Sequence, residues 1–439
     1  MVNKIRDLTI SKSFRTLKGN TRISIVFEPM WGIPYALYNF YLSLYMKAQG
    51  ITDQQIGYLI SIGFISGAIF SLFGGAIVNY LGRKRTLLIS DLIAWPSSLV
   101  IYMLANQFWI FALASICNSV VRIASISFTL MMVEDADDDQ RKAAFTLLNI
   151  VNIFSGVFTP LAGLLVGNLG IIPAERILMA VAVVSMSTMM ISRHHYYEET
   201  QVGKEILKER QEKKISADFR FNLFGNAFGY LKKKPSVFVV MSVLVLFNIY
   251  LPIGTINSLY FAPYLTEVLK QDKSLISLLG GVNSLTIVMA LIFLLPHLKQ
   301  GLFPLLTGLL LQILSLLVLI FTPTGSFLAL VMVIILYALG FGLFRPLIDT
   351  LFAEVTEGKE RAGLYGLSNT LVSIFSASAG LFSGKIYNKA PVSIYIFSLL
   401  ILLLCLGGLL LYAFLEKKPL FPRIKLPRRR RDSKQLSRI

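Results

Sequence analysis

The sequence predicts an all-α membrane protein, with twelve transmembrane helices arranged as two pseudo-symmetric six-helix bundles. Three observations carry that reading. Of 439 residues, 55% are hydrophobic and 15% charged, whereas an ordinary soluble domain carries about 25% charged residues; mean hydropathy is +0.67. The apolar residues gather into twelve stretches, each near the roughly 20 residues that a helix needs to cross ~30 Å of hydrocarbon with its backbone hydrogen bonds satisfied internally. Segments of the first half also recur, in order, in the second.

The predicted spans cover residues 23–46, 55–80, 86–106, 108–133, 142–168 and 173–192, then 236–265, 274–297, 301–322, 326–351, 361–386 and 391–415. Their connections are short except at residues 193–235, a polar stretch rich in Lys and Glu. The chain therefore divides into a cytoplasmic arm (1–22), a first bundle (23–192), a cytoplasmic linker (193–235), a second bundle (236–416) and a basic cytoplasmic tail (417–439). Within the linker, "GKEILKERQEKK" (Gly203 to Lys214) has the pattern of a solvated helix along the membrane surface. The N-terminal 22 residues are basic but lack a small-residue cleavage site, so they read as an arm and not a signal peptide.

Charge sets the orientation. A net charge of +18 on a soluble fold would suggest nucleic acid, but here the basic residues lie between apolar segments, and no nucleic-acid partner is expected. With the N-terminus inside, 34 of the 42 Lys and Arg fall on the inner side and six on the outer, placing both termini in the cytoplasm. The tail "PRRRRDSK" is then a juxtamembrane segment drawn to anionic headgroups of the bilayer. Basic tails and short loops fit a bacterial inner membrane, and a monomer is expected.

Most chemistry is disfavoured. Cys117 and Cys405 lie in predicted spans, and His194, His195 and His297 fall at linker or helix ends. The sequence offers no cluster with metal-ligand spacing, no nucleophile paired with a base, and no ATP-binding P-loop. Neither a metal, a cofactor nor an enzymatic activity is expected.

The internal repeat is specific. "MVEDADDDQRKAAFTLLN" (Met132 to Asn149) aligns with "FAEVTEGKERAGLYGLSN" (Phe352 to Asn369), placing Glu134 on Glu354, Arg141 on Arg361 and Asn149 on Asn369. "SLYMKAQGITDQQI" (Ser43 to Ile56) aligns with "APYLTEVLKQDKSL" (Ala262 to Leu275), with Tyr45 on Tyr264 and Asp53 on Asp272; Gly82 falls on Gly301. Two separated matches at nearly one offset imply a parallel duplication of six helices.

On these residues the chain resembles the major facilitator superfamily of transporters along essentially its full length. "GGAIVNYLGRKRTLL" (Gly74 to Leu88) resembles the family's G-x-L-a-D-R-x-G-R-[KR] motif between helices 2 and 3: Gly75, Gly82, Arg83 and Lys84 match, while Asn79 replaces the usual Asp and Tyr80 the usual Arg. In physical terms, Gly75 lets helices approach, Gly82 permits a tight turn, and Arg83, Lys84 and Arg85 hold the loop inside. The repeated Glu-x6-Arg, Glu134 to Arg141 and Glu354 to Arg361, resembles the loops of the family's sugar porters. A carboxylate ending helix 4 or 10 would pair with the basic loop of its own half. Glu134 has Arg83 and Arg85 available, and the second half offers only Lys299, so the latch should be lopsided.

Ionisable groups inside spans are costly and mark cavities or pairs. Glu28 in helix 1 is the first candidate for proton coupling. Arg122 in helix 4 is its expected partner, because helices 1 and 4 line one cavity in the resembled fold. Asp91, nearer the cytoplasmic end of helix 3, is expected to cap a helix or pair with the basic loop. Arg345 and Asp349 stand four apart on one helical face. For substrate contact, helix 1 offers Trp31, Tyr35, Tyr38 and Asn39 on one face. Helix 7 offers Asn248, Tyr250 and Asn257 beside Pro252 and Gly254, which could break that helix at a gate; Asn149, Asn152, Asn283 and Asn369 are further candidates.

"GVFTPLAG" (Gly156 to Gly163) resembles part of the family's antiporter motif, and the sugar-porter signature after helix 6 is missing, so direction is left open. The expected function is secondary transport of a small organic solute, a sugar or other polar metabolite, with proton coupling. Proton-coupled drug efflux and a transporter-like receptor are the alternatives. A polar solute requires several convergent hydrogen-bonding groups in the cavity, whereas a drug pump would surround one carboxylate with apolar walls.

Overall fold

Proline and glycine decide where the long apolar runs break. The computed structural model describes residues 14–213, 229–294, 301–356 and 361–417. The first span, α1, is three helical pieces, Gly19–Phe27, Pro29–Asn39 and Leu42–Ala48. Pro29 cannot donate a backbone hydrogen bond, so the chain turns at Glu28 before a new helix starts on the proline. Next come α2 (Asp53–Leu81), α3 (Arg83–Leu104), α4 (Phe108–Val133), α5 (Asp138–Leu169) and α6 (Ile171–Tyr196). A linker helix, Gln201–Lys213, leads to α7 (Pro235–Gly254), α8 (Lys273–Leu294), α9 (Leu302–Ile320), α10 (Phe327–Val355), α11 (Arg361–Lys389) and α12 (Ser393–Leu415). Among the described residues ten of these helices are continuous and apolar enough to cross a membrane. The broken α1 and the 29-residue α11 bring the spans to twelve.

The duplication is visible in the packing. In the first half α1 packs on α6, α3 on α4 and α2 on α4; in the second α7 packs on α12, α9 on α10 and α8 on α10. Turn chemistry repeats as well. Thr52 caps α2 and Asp272 caps α8, each accepting a hydrogen bond from a backbone N–H of the first turn. Gly82 (φ +84°) and Gly301 (φ +147°) occupy equivalent positions before α3 and α9, in backbone conformations that a side chain would strain.

Two seams join the bundles, α2 against α11 and α5 against α8, and small residues make both possible. A Cβ on Gly57 would sit 2.5 Å from the carbonyl oxygen of Gly380, and one on Gly384 would sit 2.8 Å from that of Asp53. Gly163 lies directly against Ser277, Gly156 against Ser284, and Gly281 against Pro160. Such contacts let helix backbones touch where leucines would hold them apart.

Two ends of the molecule follow from the alternation of spans. The linker end carries Gly19, Gly82, Tyr196 and the linker helix, and the far end carries the Lys47–Asp53 turn and residues 269–272. Polar links between bundles cluster toward the far end. Tyr41 Oη donates to the carbonyl of Lys273 (2.6 Å), Ser61 Oγ to that of Ala377 (2.6 Å), and Lys47 Nζ lies 2.7 Å from both Asp53 and Glu267. Toward the linker end the ion pairs stay within one bundle, as in Arg83–Glu134 and Arg345–Asp349. The bundles are thus sealed at the far end.

Two boundaries differ from expectation. Helix α6 continues to Tyr196, so Arg193 is a buried helical residue and not part of the linker. Helix α7 stops at Gly254, just after Pro252, and helical structure resumes only at Phe261. The unwound stretch carries Asn257, which lines the cavity described below; irregular backbone is tolerated at membrane depth where it borders a cavity.

Candidate functional site: a polar cavity between the bundles

A cavity of about 640 Å³ lies between the bundles on the linker side of the seal. Helix α1 supplies Trp31, Tyr35 and Asn39 to its wall, α4 supplies Asn118 and Arg122, and α5 supplies Asn152 and Thr159. From the second half come Asn257 in the α7 break, Asn283 and Ser284 on α8, and Phe341 on α10.

Aromatic stacking organises one wall. Trp31 stacks on Tyr35, with ring centroids 4.9 Å apart, and both meet the edge of Trp95 on α3 at 5.1 and 5.7 Å. Pro96 lies in a wide helical turn, Ile93–Ser97, that places Trp95 there. Tyr38, expected on the same face, is buried in the protein core, where its ring meets that of Tyr35 edge-on at 5.7 Å. The indole N–H of Trp31 and the amide oxygen of Asn283 are buried and have no hydrogen-bond partner among the described residues.

The predicted Glu28–Arg122 pair is absent. Glu28 is buried and accepts from Arg193 Nη2 at 2.6 Å; the same nitrogen donates to the carbonyl of Ser24 at 2.5 Å. Tyr197 Oη and Ser24 Oγ lie 2.7 Å apart beside this pair, and the guanidinium stacks over Phe128 at 5.0 Å. Asp91 is buried and shares a small pocket with Arg193, His194 and Lys84 of the basic loop, with no ion pair within 4.0 Å among the described residues. The correction follows from α6: once Arg193 is inside the membrane, it is the cation closest to the break at Glu28.

Arg122 instead stands in the central cavity. Its stem crosses α2 at Gly67, where an added Cβ would lie 3.3 Å from Nε, and its side chain remains accessible from the cavity. Among the described residues it has no carboxylate within ion-pair distance, and it is the one charged side chain in the cavity wall.

Other expected substrate residues lie elsewhere. Tyr250 is buried in the second bundle, with its hydroxyl unpartnered among the described residues. Asn248 donates to the carbonyl of Leu244 and accepts from Arg345 Nη1 at 3.1 Å, and Arg345 Nε pairs with Asp349 at 3.0 Å. These three form a polar group of the second bundle outside the cavity wall. Asn149 and Asn369 are exposed and also lie outside it.

At the linker end Arg83 is buried and pairs with Glu134 at 3.1 Å, and Asn79 Oδ1 accepts from its Nη1 at 3.2 Å. Thr200 Oγ1 donates to Glu134 as well. Both oxygens of Glu199 accept at 3.1 Å from the backbone N–H groups of Arg83 and Lys84, capping α3 through the positive end of its dipole. Lys84 and Arg85 border a niche with His194. The glycine that permits close approach is Gly74, not Gly75: a Cβ on Gly74 would meet Ile126 of α4 at 2.7 Å, while Gly75 faces open space. Arg141 pairs with Asp138 and donates to the carbonyl of Val133. Glu354 is exposed, Lys299 lies outside the described residues, and Arg361 begins α11.

One group escaped the sequence reading. Glu175 is fully buried, with both carboxyl oxygens lacking hydrogen-bond partners among the described residues, and it neighbours Tyr38 and Tyr41. It stands beside the exposed Arg176 near a span terminus, where charge is ordinary, so nothing in the sequence set it apart.

Comparison with known proteins bears on this arrangement. A family model described as Major Facilitator Superfamily matches residues 31–370 and 253–437. The chain belongs to the major facilitator superfamily. As a member of that transporter superfamily it is an integral, multi-pass membrane protein. An uncharacterized MFS-type transporter, YqjV of Bacillus subtilis (strain 168), is 29% identical over 133 residues, which cover 29% of this chain and 32% of that relative's length. Among solved structures, the D-xylose-proton symporter is similar at TM-score 0.68 and 15% identity, covering 91% of this chain and 97% of that one. The nucleoside transporter NupG is similar at TM-score 0.62 and 16% identity, over 91% and 98% of the two chains. A bacterial homologue of the iron transporter ferroportin in an inward-facing state gives 0.62 at 15%, over 89% and 98%. At these identities the structures share the superfamily fold with this chain.

Proposed function

We propose that this protein is a secondary active transporter of a small polar organic solute, working by alternating access, with both termini in the cytoplasm of a bacterial cell. On that orientation the state described above is inward-open. The observation that carries the reading is a cavity between two bundles whose wall presents Asn39, Asn118, Asn152, Asn257 and Asn283 from five different elements, with no carboxylate in it among the described residues. A drug pump built on an acidic residue in an apolar chamber fits this wall poorly. A receptor would have no need of bundles that separate along seams of glycine and serine.

We assign proton coupling to the buried group Glu28, Asp91 and Arg193 and not to the cavity. Two carboxyls face one guanidinium there; Glu28 holds it directly, and Asp91 has no ion pair within 4.0 Å among the described residues. Asp91 is therefore the group free to exchange a proton with the linker end, where Lys84 and His194 border the same pocket.

Proteoliposomes test both parts. A solute found by thermal-shift screening should accumulate under an inward proton gradient. Cross-linking Ser61→Cys to Ala377→Cys, with Cys117 and Cys405 replaced, should abolish that flux and reduction should restore it. Flux that survives a complete cross-link removes alternating access. Uphill uptake that persists in Asp91→Asn and in Glu28→Gln removes this group from coupling.

A further inference from the structure

Among the described residues, each buried or half-buried arginine has an acidic partner. Arg83 has Glu134 at 3.1 Å, Arg193 has Glu28 at 2.6 Å, and Arg345 has Asp349 at 3.0 Å. Arg122, exposed in the wall of the central cavity, has no such partner, and no acidic side chain accompanies it in that wall among the described residues. A guanidinium keeps its charge at any physiological pH, and between low-dielectric walls its field extends further than it would in bulk water. A chamber with one fixed positive charge attracts anions and repels cations.

We propose that the transported solute carries a single oxyanion group, a carboxylate or a phosphate, which docks on Arg122. This inference rests on the transporter reading above and specifies its cargo. The body of such a solute would lie between the Trp31–Tyr35 wall and the carboxamides of Asn152 and Asn257, both of which are open to the cavity. The planar fork of the guanidinium favours two-point contact with an oxyanion, which also fixes the orientation of the solute. A neutral sugar uses none of this, and a cationic amphiphile is repelled. The mirror position offers no second charge: Arg345 on α10 is neutralised by Asp349 and lies outside the wall. A solute with two separate anionic groups would leave the second unpaired, so the site selects a solute that carries one.

The test uses the full chain, purified and reconstituted, with matched pairs of probes that differ by the charged group: glucuronate and glucose, glycerol 3-phosphate and glycerol, lactate and 1,2-propanediol, uridine monophosphate and uridine. Binding is read from tryptophan fluorescence and transport from counterflow. At least one anionic member should bind and exchange, and its neutral partner should bind at least about 10-fold more weakly. Arg122→Gln should weaken the anion by a similar factor, while Arg122→Lys, which keeps the charge and loses the fork, should restore part of the loss. Size-exclusion profiles and unchanged far-ultraviolet dichroism confirm that both variants fold. Binding and exchange of a neutral member, unaffected by Arg122→Gln, overturns the anionic cargo and leaves the transporter reading intact. An anion whose binding ignores Arg122→Gln overturns the docking site. Failure of every anionic member to bind overturns the inference, and failure of every member of either kind to exchange counts against transport itself.

Discussion

At the scale of single residues, the arrangement of charge decides what each group can do. Arg193 serves the Glu28 carboxylate and the Ser24 carbonyl while almost fully buried. Removing it leaves Glu28 as an unpaired buried carboxyl, so Arg193→Met should destabilise the first bundle by about 3–5 kcal/mol. The double variant Glu28→Gln, Arg193→Met removes the orphaned charge together with its partner and should recover much of that loss. Thermal unfolding of the three proteins in one detergent checks this; equal losses in the single and double variants would show that the pair is not the source. The residue scale also marks where the sequence stops being legible. Glu28, Asp91 and Arg122 announce themselves as charges in apolar runs, but their partners depend on where α6 ends. A helix end placed at residue 192 puts Arg193 in water, and four more residues of helix put it beside Glu28. Gly74 and Gly75 are adjacent and identical in the sequence, and only the rotation of α2 decides which meets Ile126.

At the scale of elements, breaks and caps are the legible features, because proline and glycine act through local backbone geometry. Pro29, Pro252 and the glycines before α3 and α9 all act where their chemistry requires. Two caps have consequences outside the membrane. Asp137 is held below the usual carboxylate range by the backbone N–H and then the side-chain amide of Gln140. Asp272 is held there by the hydroxyl and backbone N–H of Ser274. A depressed carboxyl contributes stability above its unfolded value of about 3.9, and that contribution is lost as pH falls through the lower folded value. Acid should therefore fray the starts of α5 and α8 below about pH 4, and Asp272→Asn should weaken the pH dependence of α8. Hydrogen exchange of the first turns, compared at neutral and acid pH, reads this directly. Glu199 does comparable work for α3, so Glu199→Gln should cost about 1 kcal/mol. It should also release the linker helix, whose Gly203 packs against Glu199 and Arg83. Limited proteolysis after residue 200 should then accelerate.

At the scale of the whole molecule, the duplicated sequence produces a duplicated packing scheme, and the balance between states is set where the halves meet. The repeat foretold two bundles, but it could not foretell which seam is closed, since both arrangements keep every contact inside a bundle. The far-end seal depends on the absence of side chains: Gly57 lies against Gly380 and Gly384, and Gly163 lies against Ser277. A larger residue at one of these points prevents the backbones from touching, while the packing within each bundle is left intact. Gly57→Val and Gly380→Val should therefore shift the population toward a state open at the far end, with little change in overall stability. Because about 1.4 kcal/mol corresponds to a tenfold change in population, an overpacking cost of about 1–3 kcal/mol shifts the balance toward that state by roughly 5- to 150-fold. Alkylation of Asn257→Cys by a membrane-impermeant thiol reagent added at the far end should be slow in the native seam and at least about tenfold faster in either valine variant. Unchanged alkylation in both would mean that the glycine seam does not hold the far end shut.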